Sequence, residues 1–130
     1  MKWLRRDTVL AIHKLVITEH GGDDHARDLT LLDSALARPK NISVYEPDSD
    51  IARLSAAYGF GIAKNHPFVD GNKRVALAAT RTFLLLNGFT LTATQEEKYQ
   101  AFLGVADGSL SEDELTGWIR AHLVAVVPKS

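Results

Sequence analysis

One hundred and thirty residues, 45% apolar and 24% charged with a formal net charge of −1, suffice for one folded domain and are too few for two. The absence of cysteine excludes disulfides, thiolate-held zinc, iron–sulfur clusters and thiol catalysis. Charge is even over residues 1–65 and −1 over residues 66–130, so neither half offers a basic surface to nucleic acid or to an anionic membrane. The longest uncharged stretch, Thr82–Gln95, contains Asn87 and Gly88 and falls short of the ~20 apolar residues a spanning helix needs. Lys2, Arg5 and Arg6 give a positive flank, but His13 and Lys14 break the apolar run and no small-residue cleavage site follows. The expectation is a cytoplasmic chain.

In chain order, Asp7 is placed to cap a helix carrying Val9, Leu10, Ile12, His13, Val16 and Ile17 that stops at Gly21-Gly22. A short helix over Leu29–Ala37 follows, closed by Pro39. Residues 39–50 are the least helical: Ile42 and Val44 alternate with Asn41, Ser43 and Tyr45, which predicts a short exposed strand or hairpin. From Asp50 to Asn65 the helical pattern returns, with Arg53 and Lys64 its interior charges. The next helix starts near Asn72 and ends at Asn87-Gly88, and nine of the twelve residues Val75 to Leu86 are apolar, so protein should surround it. Phe89 and Leu91 predict a short strand, and Thr94 with Glu97 and Ser111 with Glu114 have capping-box spacing and open two last helices. Pro128 closes the pattern. With no repeat, low-complexity tract or linker, residues 1–130 read as one all-α domain, a compact bundle of about six helices with a small β flap.

Between the two most apolar helices lies His66-Pro67-Phe68-Val69-Asp70-Gly71-Asn72-Lys73-Arg74. A helix beginning near Asn72 presents unpaired N–H groups and a partial positive charge, which suits an anion. Gly71 allows close backbone approach, and Arg74, one turn in, adds a forked guanidinium for a phosphate. Asp70 is placed to hold Mg²⁺, which binds phosphates with one or two protein carboxylates. His66 is a general-base candidate for a hydroxyl nucleophile, and Phe68 anchors the loop in the core. Singly, each has a plain reading: a loop histidine, a helix cap, a solvated pair of cations. Together, five polar or ionisable side chains in nine residues between buried helices favour a site.

The run HPFVDGNKR resembles the signature of the Fic/Doc family. The stretches from Gly21-Gly22 to Arg27-Asp28 and from Leu31 to Pro39 are similar to the N-terminal half of its death-on-curing toxins. The resemblance implies a helical domain that moves part of ATP onto a protein hydroxyl. His66 would take the proton of the target Ser, Thr or Tyr, and Asp70 would hold the Mg²⁺ that bridges the phosphates. The backbone of Gly71 and Asn72, with the Asn72 side chain, would cradle phosphate oxygens, and Arg74 would grip a further phosphate. Most of the family has Gly where this chain has Lys73 and transfers AMP. The death-on-curing branch has Lys there, a change associated with a reversed nucleotide that delivers its γ-phosphate. The first reading is therefore a toxin with protein kinase activity, its target translation elongation factor Tu and its outcome growth arrest. The alternatives are AMP transfer on the same fold and a catalytically silent partner-binding module. The branch prototype carries a polar Asn where this chain has Ala78.

By the same resemblance, Asn41, Ile42, Ser43, Val44 and Tyr45 form the flap that aligns the target chain by strand addition. An inhibitory Ser/Thr-x-x-x-Glu-Gly/Asn motif is approached at Thr92 and Glu96, but Glu97 follows where Gly or Asn is required. A separate antitoxin acting in trans is implied, an amphipathic segment laid in a groove of the domain. His20, Asp23, Asp24 and His25 read as a solvated helix end rather than a metal cluster, Lys64 as solvent-facing, and Glu112, Asp113 and Glu114 as the acidic first turn of a helix. Trp3 and Trp118 are core or partner contacts.

Overall fold

The computed structural model describes residues 1–126, and the Pro128 stop lies outside them. Six helices follow in order: α1 (Arg6–His20), α2 (Leu29–Tyr45), α3 (Ile51–Asn65), α4 (Asn72–Leu86), α5 (Gln95–Asp107) and α6 (Glu112–His122). Strand β1 (Phe89–Leu91), after α4, pairs antiparallel with β2 (Leu123–Ala125), after α6, in the register Phe89 with Ala125 and Leu91 with Leu123. The two-stranded sheet closes the molecule at the C-terminal end of α4. No described helix is long and apolar enough to cross a membrane.

Helix α3 is the axis of the bundle and packs against α2, α4, α5 and α6. Small residues make that possible. Ala52, Ala56, Ala57, Gly59, Gly61 and Ala63 are all buried. A Cβ on Gly59 would stand 2.6 Å from Phe102 Cε1 and 2.7 Å from Thr80 Oγ1, so α4 and α5 close on α3 where its side chain is absent. Tyr58, also fully buried, donates nothing to solvent: its hydroxyl accepts from the Leu4 N–H at 3.1 Å and its ring packs on Phe83, 4.8 Å away. Trp3 is half-buried and stacks on the same Phe83. Both capping boxes form, at Thr94–Glu97 and Ser111–Glu114.

Two local expectations are corrected. Arg5, not Asp7, is the N-cap of α1, and Asp7 sits in the first turn. Pro39 does not close α2, which runs on through Asn41, Ile42, Ser43, Val44 and Tyr45. The apolar stripe Leu32, Ala35, Leu36, Pro39 and Ile42 keeps helical spacing, and burial of Ile42 outweighs the missing Pro39 N–H. Ser43 Oγ donates to Lys40 O at 2.6 Å, and the Glu46 N–H closes the helix on Ile42 O at 2.7 Å. Those five residues therefore have their backbone bonded within a helix and present no extended edge for strand addition; the small β element lies instead at β1 and β2.

Candidate active site

The nine-residue loop joins α3 to α4 and is shaped from both ends. His66 ends α3 in the left-handed region, φ 50° and ψ 57°, the sole described non-glycine residue with positive φ. That conformation is uncommon for a side chain with a Cβ and needs external support. Arg27 supplies it: Nε donates to His66 O and Nη2 to Asn65 O, both at 2.7 Å, placing a cation on the carbonyl end of α3. The neighbouring backbone is laced to the loop as well. Pro67 O accepts from the N–H groups of Arg27 and Asp28, and the Val69 N–H donates to His25 O at 3.1 Å. This is the structural part played by the Gly21–Asp28 stretch, which the sequence reading tied to the family without a role.

Phe68 is 1% exposed and anchors the loop in the core as expected. Asn72 lines the cavity and also bonds within the loop. Its side chain accepts from the Phe68 N–H at 3.0 Å, donates to Phe68 O at 2.8 Å and approaches His66 Nδ1 at 3.3 Å. The two bonds to Phe68 fix which end of the amide is nitrogen, so Nδ2 donates to the ring and the neutral imidazole carries its hydrogen on Nε2. Asn72 is a staple across the loop that also orients His66. The Asn72 backbone remains at the start of α4.

Gly71 is the N-cap of α4 at φ 86°. The conformation favours glycine, and the space is tight: a Cβ would stand 3.3 Å from Val16 Cγ1 and from Ile17 Cδ1. The first turn of α4 thus opens, with its unpaired N–H groups, onto a cavity of about 490 Å³ that contains His66, Asp70, Gly71, Asn72, Lys73 and Arg74 in its walls. The structure brings all the motif's predicted polar residues to this one place. Asp70 is exposed, and its Oδ2 accepts from the Asp23 N–H at 2.8 Å. Its second oxygen is the donor a cation can use.

Four contributors had not been singled out for the site. Tyr99 of α5 lies 4.6 Å beneath the Arg74 guanidinium, and His20 Nε2 is 3.5 Å from Arg74 Nη1, so Arg74 is held between an aromatic face and an imidazole. Val16, His20, Arg74 and Tyr99 also line a second cavity of about 540 Å³, which runs between α1, α4 and α5 past Leu77, Ala78 and Arg81. Arg27 shapes the loop from outside, and His13, buried beneath it, has Nε2 2.9 Å from Asp70 O. Tyr99 carries no motif, and no pattern in the sequence marks its proximity to a residue twenty-five positions earlier.

Apart from His20, the other candidates do not line the cavity. Asp23, Asp24 and His25 lie together and exposed, but the Asp23 carboxylate accepts from both the His25 N–H and ring. Those bonds lower the Asp23 pKa and raise that of His25. His20 faces Arg74 instead of this cluster. Lys64 is exposed beside Phe60. Glu112 is largely buried between Arg38 and Arg53 and ties α2 and α3 to α6. None of Asn41, Ile42, Ser43, Val44 and Tyr45 lines the cavity.

The chain matches the sequence model of the family described as Fic/DOC over residues 3–84. It is 43% identical over 95 residues to Toxin Doc of Mycolicibacterium smegmatis, covering 71% of this chain and 69% of that protein. It is 28% identical over 120 residues to Protein kinase doc of Escherichia phage P1, covering 92% of this chain and 94% of that protein.

Proposed function

The chain belongs to the Fic/DOC family, and from that membership and the geometry of its site we propose that it is the toxin of a toxin–antitoxin pair and transfers the γ-phosphate of ATP to a hydroxyl of a target protein. The observation that carries the reading is the convergence on one cavity of a histidine, a free carboxylate oxygen, the N-terminus of α4 and two cations. The names of the two relatives support the two halves of the reading, the first that of a toxin and the second that of a protein kinase.

The chemistry follows from what each group can do. The N–H groups at the start of α4 and the Arg74 guanidinium bind phosphate oxygens, and the fixed position of Arg74 between His20 and Tyr99 lowers the cost of ordering it. Lys73, exposed at the second position of α4, adds a charge beside those N–H groups and occupies space there, which favours the nucleotide orientation with the γ-phosphate nearest His66. Asp70 suits Mg²⁺: one oxygen is tethered by the Asp23 N–H, the other is free, and a single carboxylate with phosphates and water is an ordinary set for that ion. Bound there, the ion would neutralise charge on the phosphates. His66 takes the proton of the target hydroxyl as its oxygen bonds to the γ-phosphorus and the bond from that phosphorus to the bridging oxygen breaks, leaving ADP. Acceptance at Nε2, on the ring's far side from Asn72, requires the tautomer with hydrogen on Nδ1, so the long Asn72 contact opens as the substrate arrives. Catalysis in this site is positioning and charge stabilisation.

The target we infer is a translation factor, elongation factor Tu by family resemblance, modified in the cytoplasm with growth arrest as the outcome. An antitoxin in trans then restrains the toxin. The test is incubation of the wild-type chain and His66→Ala with the target and ATP labelled at the α or the γ position. Label from the γ position alone, reduced about 10²–10⁴-fold in His66→Ala, is expected. Label from the α position would instead establish AMP transfer, and loss of neither toxicity nor binding in His66→Ala would establish a silent binding module.

A further inference from the structure

Among the described residues His13 is the one buried histidine, 4% exposed on α1, and nothing in the reaction above uses it. Its ring stacks on Phe68 with centroids 3.8 Å apart and planes 11° apart, and its Nε2 is 2.9 Å from Asp70 O. A carbonyl oxygen accepts and never donates, so Nε2 carries the hydrogen. Among the described residues no other donor reaches that carbonyl.

The consequence lies in the peptide joining Asp70 to Gly71. It is trans, so its N–H points opposite to its C=O. With the carbonyl drawn onto α1, the Gly71 N–H is turned away from α1 and joins the unpaired N–H groups at the start of α4. The loop does not enforce this by itself. Rotating the peptide by half a turn would carry the Gly71 φ from 86° to the negative side, which glycine accepts equally well. The rotated peptide would turn a carbonyl dipole toward phosphate oxygens where the present one turns an N–H.

We infer that His13 is a positioning residue: its Nε2–H locks the Asp70–Gly71 peptide with the N–H available to the nucleotide's phosphates. The inference rests on the nucleotide-binding reading of the site. Two substitutions separate the hydrogen bond from the packing, since His13→Phe keeps the stacked ring and loses the donor, whereas His13→Gln keeps an Nε2–H donor and loses the ring.

The experiment is calorimetric titration of the wild-type chain and both variants with ADP and Mg²⁺, alongside thermal melting. His13→Phe is expected to bind ADP at least about tenfold more weakly than wild type while His13→Gln stays near wild type, with His13→Phe the more stable of the two. Affinity that tracks melting temperature, or His13→Phe binding as wild type does, would overturn the inference alone. A wild-type chain that binds no ADP would overturn the nucleotide reading itself and the role of His13 with it.

Discussion

Asn72 shows how one side chain can hold both the shape and the chemistry of a loop. It satisfies the buried N–H and C=O of Phe68 and touches the imidazole of His66. Asn72→Ala would leave both Phe68 groups unpaired, and we expect a loss of about 1–3 kcal/mol of stability by denaturant unfolding. Equal melting temperatures for Asn72→Ala and wild type would contradict the staple. Most of the site was legible at this scale, since spacing within nine residues needs no tertiary information. His66, Asp70, Gly71, Lys73 and Arg74 meet at one cavity as the motif implied. What could not be read was which way Asn72 faces, or that Tyr99, His20, His13 and Arg27 arrive from other elements.

Helices show where local patterns suffice and where they fail. The capping boxes of α5 and α6 were readable because each is closed within four residues. The end of α2 was not, because burial of Ile42 beyond Pro39 is decided by packing against the rest of the bundle. Helix α3 and its N-cap set two further expectations. Gly59→Ala would drive a Cβ into Phe102 and Thr80, costing about 1–3 kcal/mol in urea denaturation, whereas a neutral result would mean that α5 yields freely. At the N-terminus of α3, Asp50 accepts from the Arg53 N–H and from Arg120 Nε and Nη2. The Arg120 bonds, first among several causes, hold the Asp50 carboxyl below its ordinary value. Its contribution is therefore complete above the unfolded carboxylate pKa and disappears as pH falls through the lower, folded one. Asp50→Asn keeps a capping oxygen and removes the charge, so its deficit in melting temperature should be largest near neutral pH and shrink on acidification. A deficit constant with pH would refute the ion pair's part in it.

Over the whole molecule, a net charge of −1 conceals a local concentration of positive charge. Lys73, Arg74 and the N-terminus of α4 face one cavity, with Asp70 beside them, and a second cavity continues past Arg74 between α1, α4 and α5. The fold class and the number of helices followed from periodicity and caps, but two neighbouring cavities that share Val16, His20, Arg74 and Tyr99 belong to the packed structure. On the proposed reading, a nucleotide would have two ways to lie there. With the γ-phosphate at the start of α4, the remainder of the nucleotide extends away from His66. With the α-phosphate there, the polyphosphate does so instead. The choice determines the reaction, and the measurement that decides it is a crystal structure of this chain with Mg²⁺ and a non-hydrolysable ATP analogue. The γ-phosphorus nearest the His66 ring is the predicted result; the α-phosphorus nearest it would contradict the kinase and make the protein an AMP transferase.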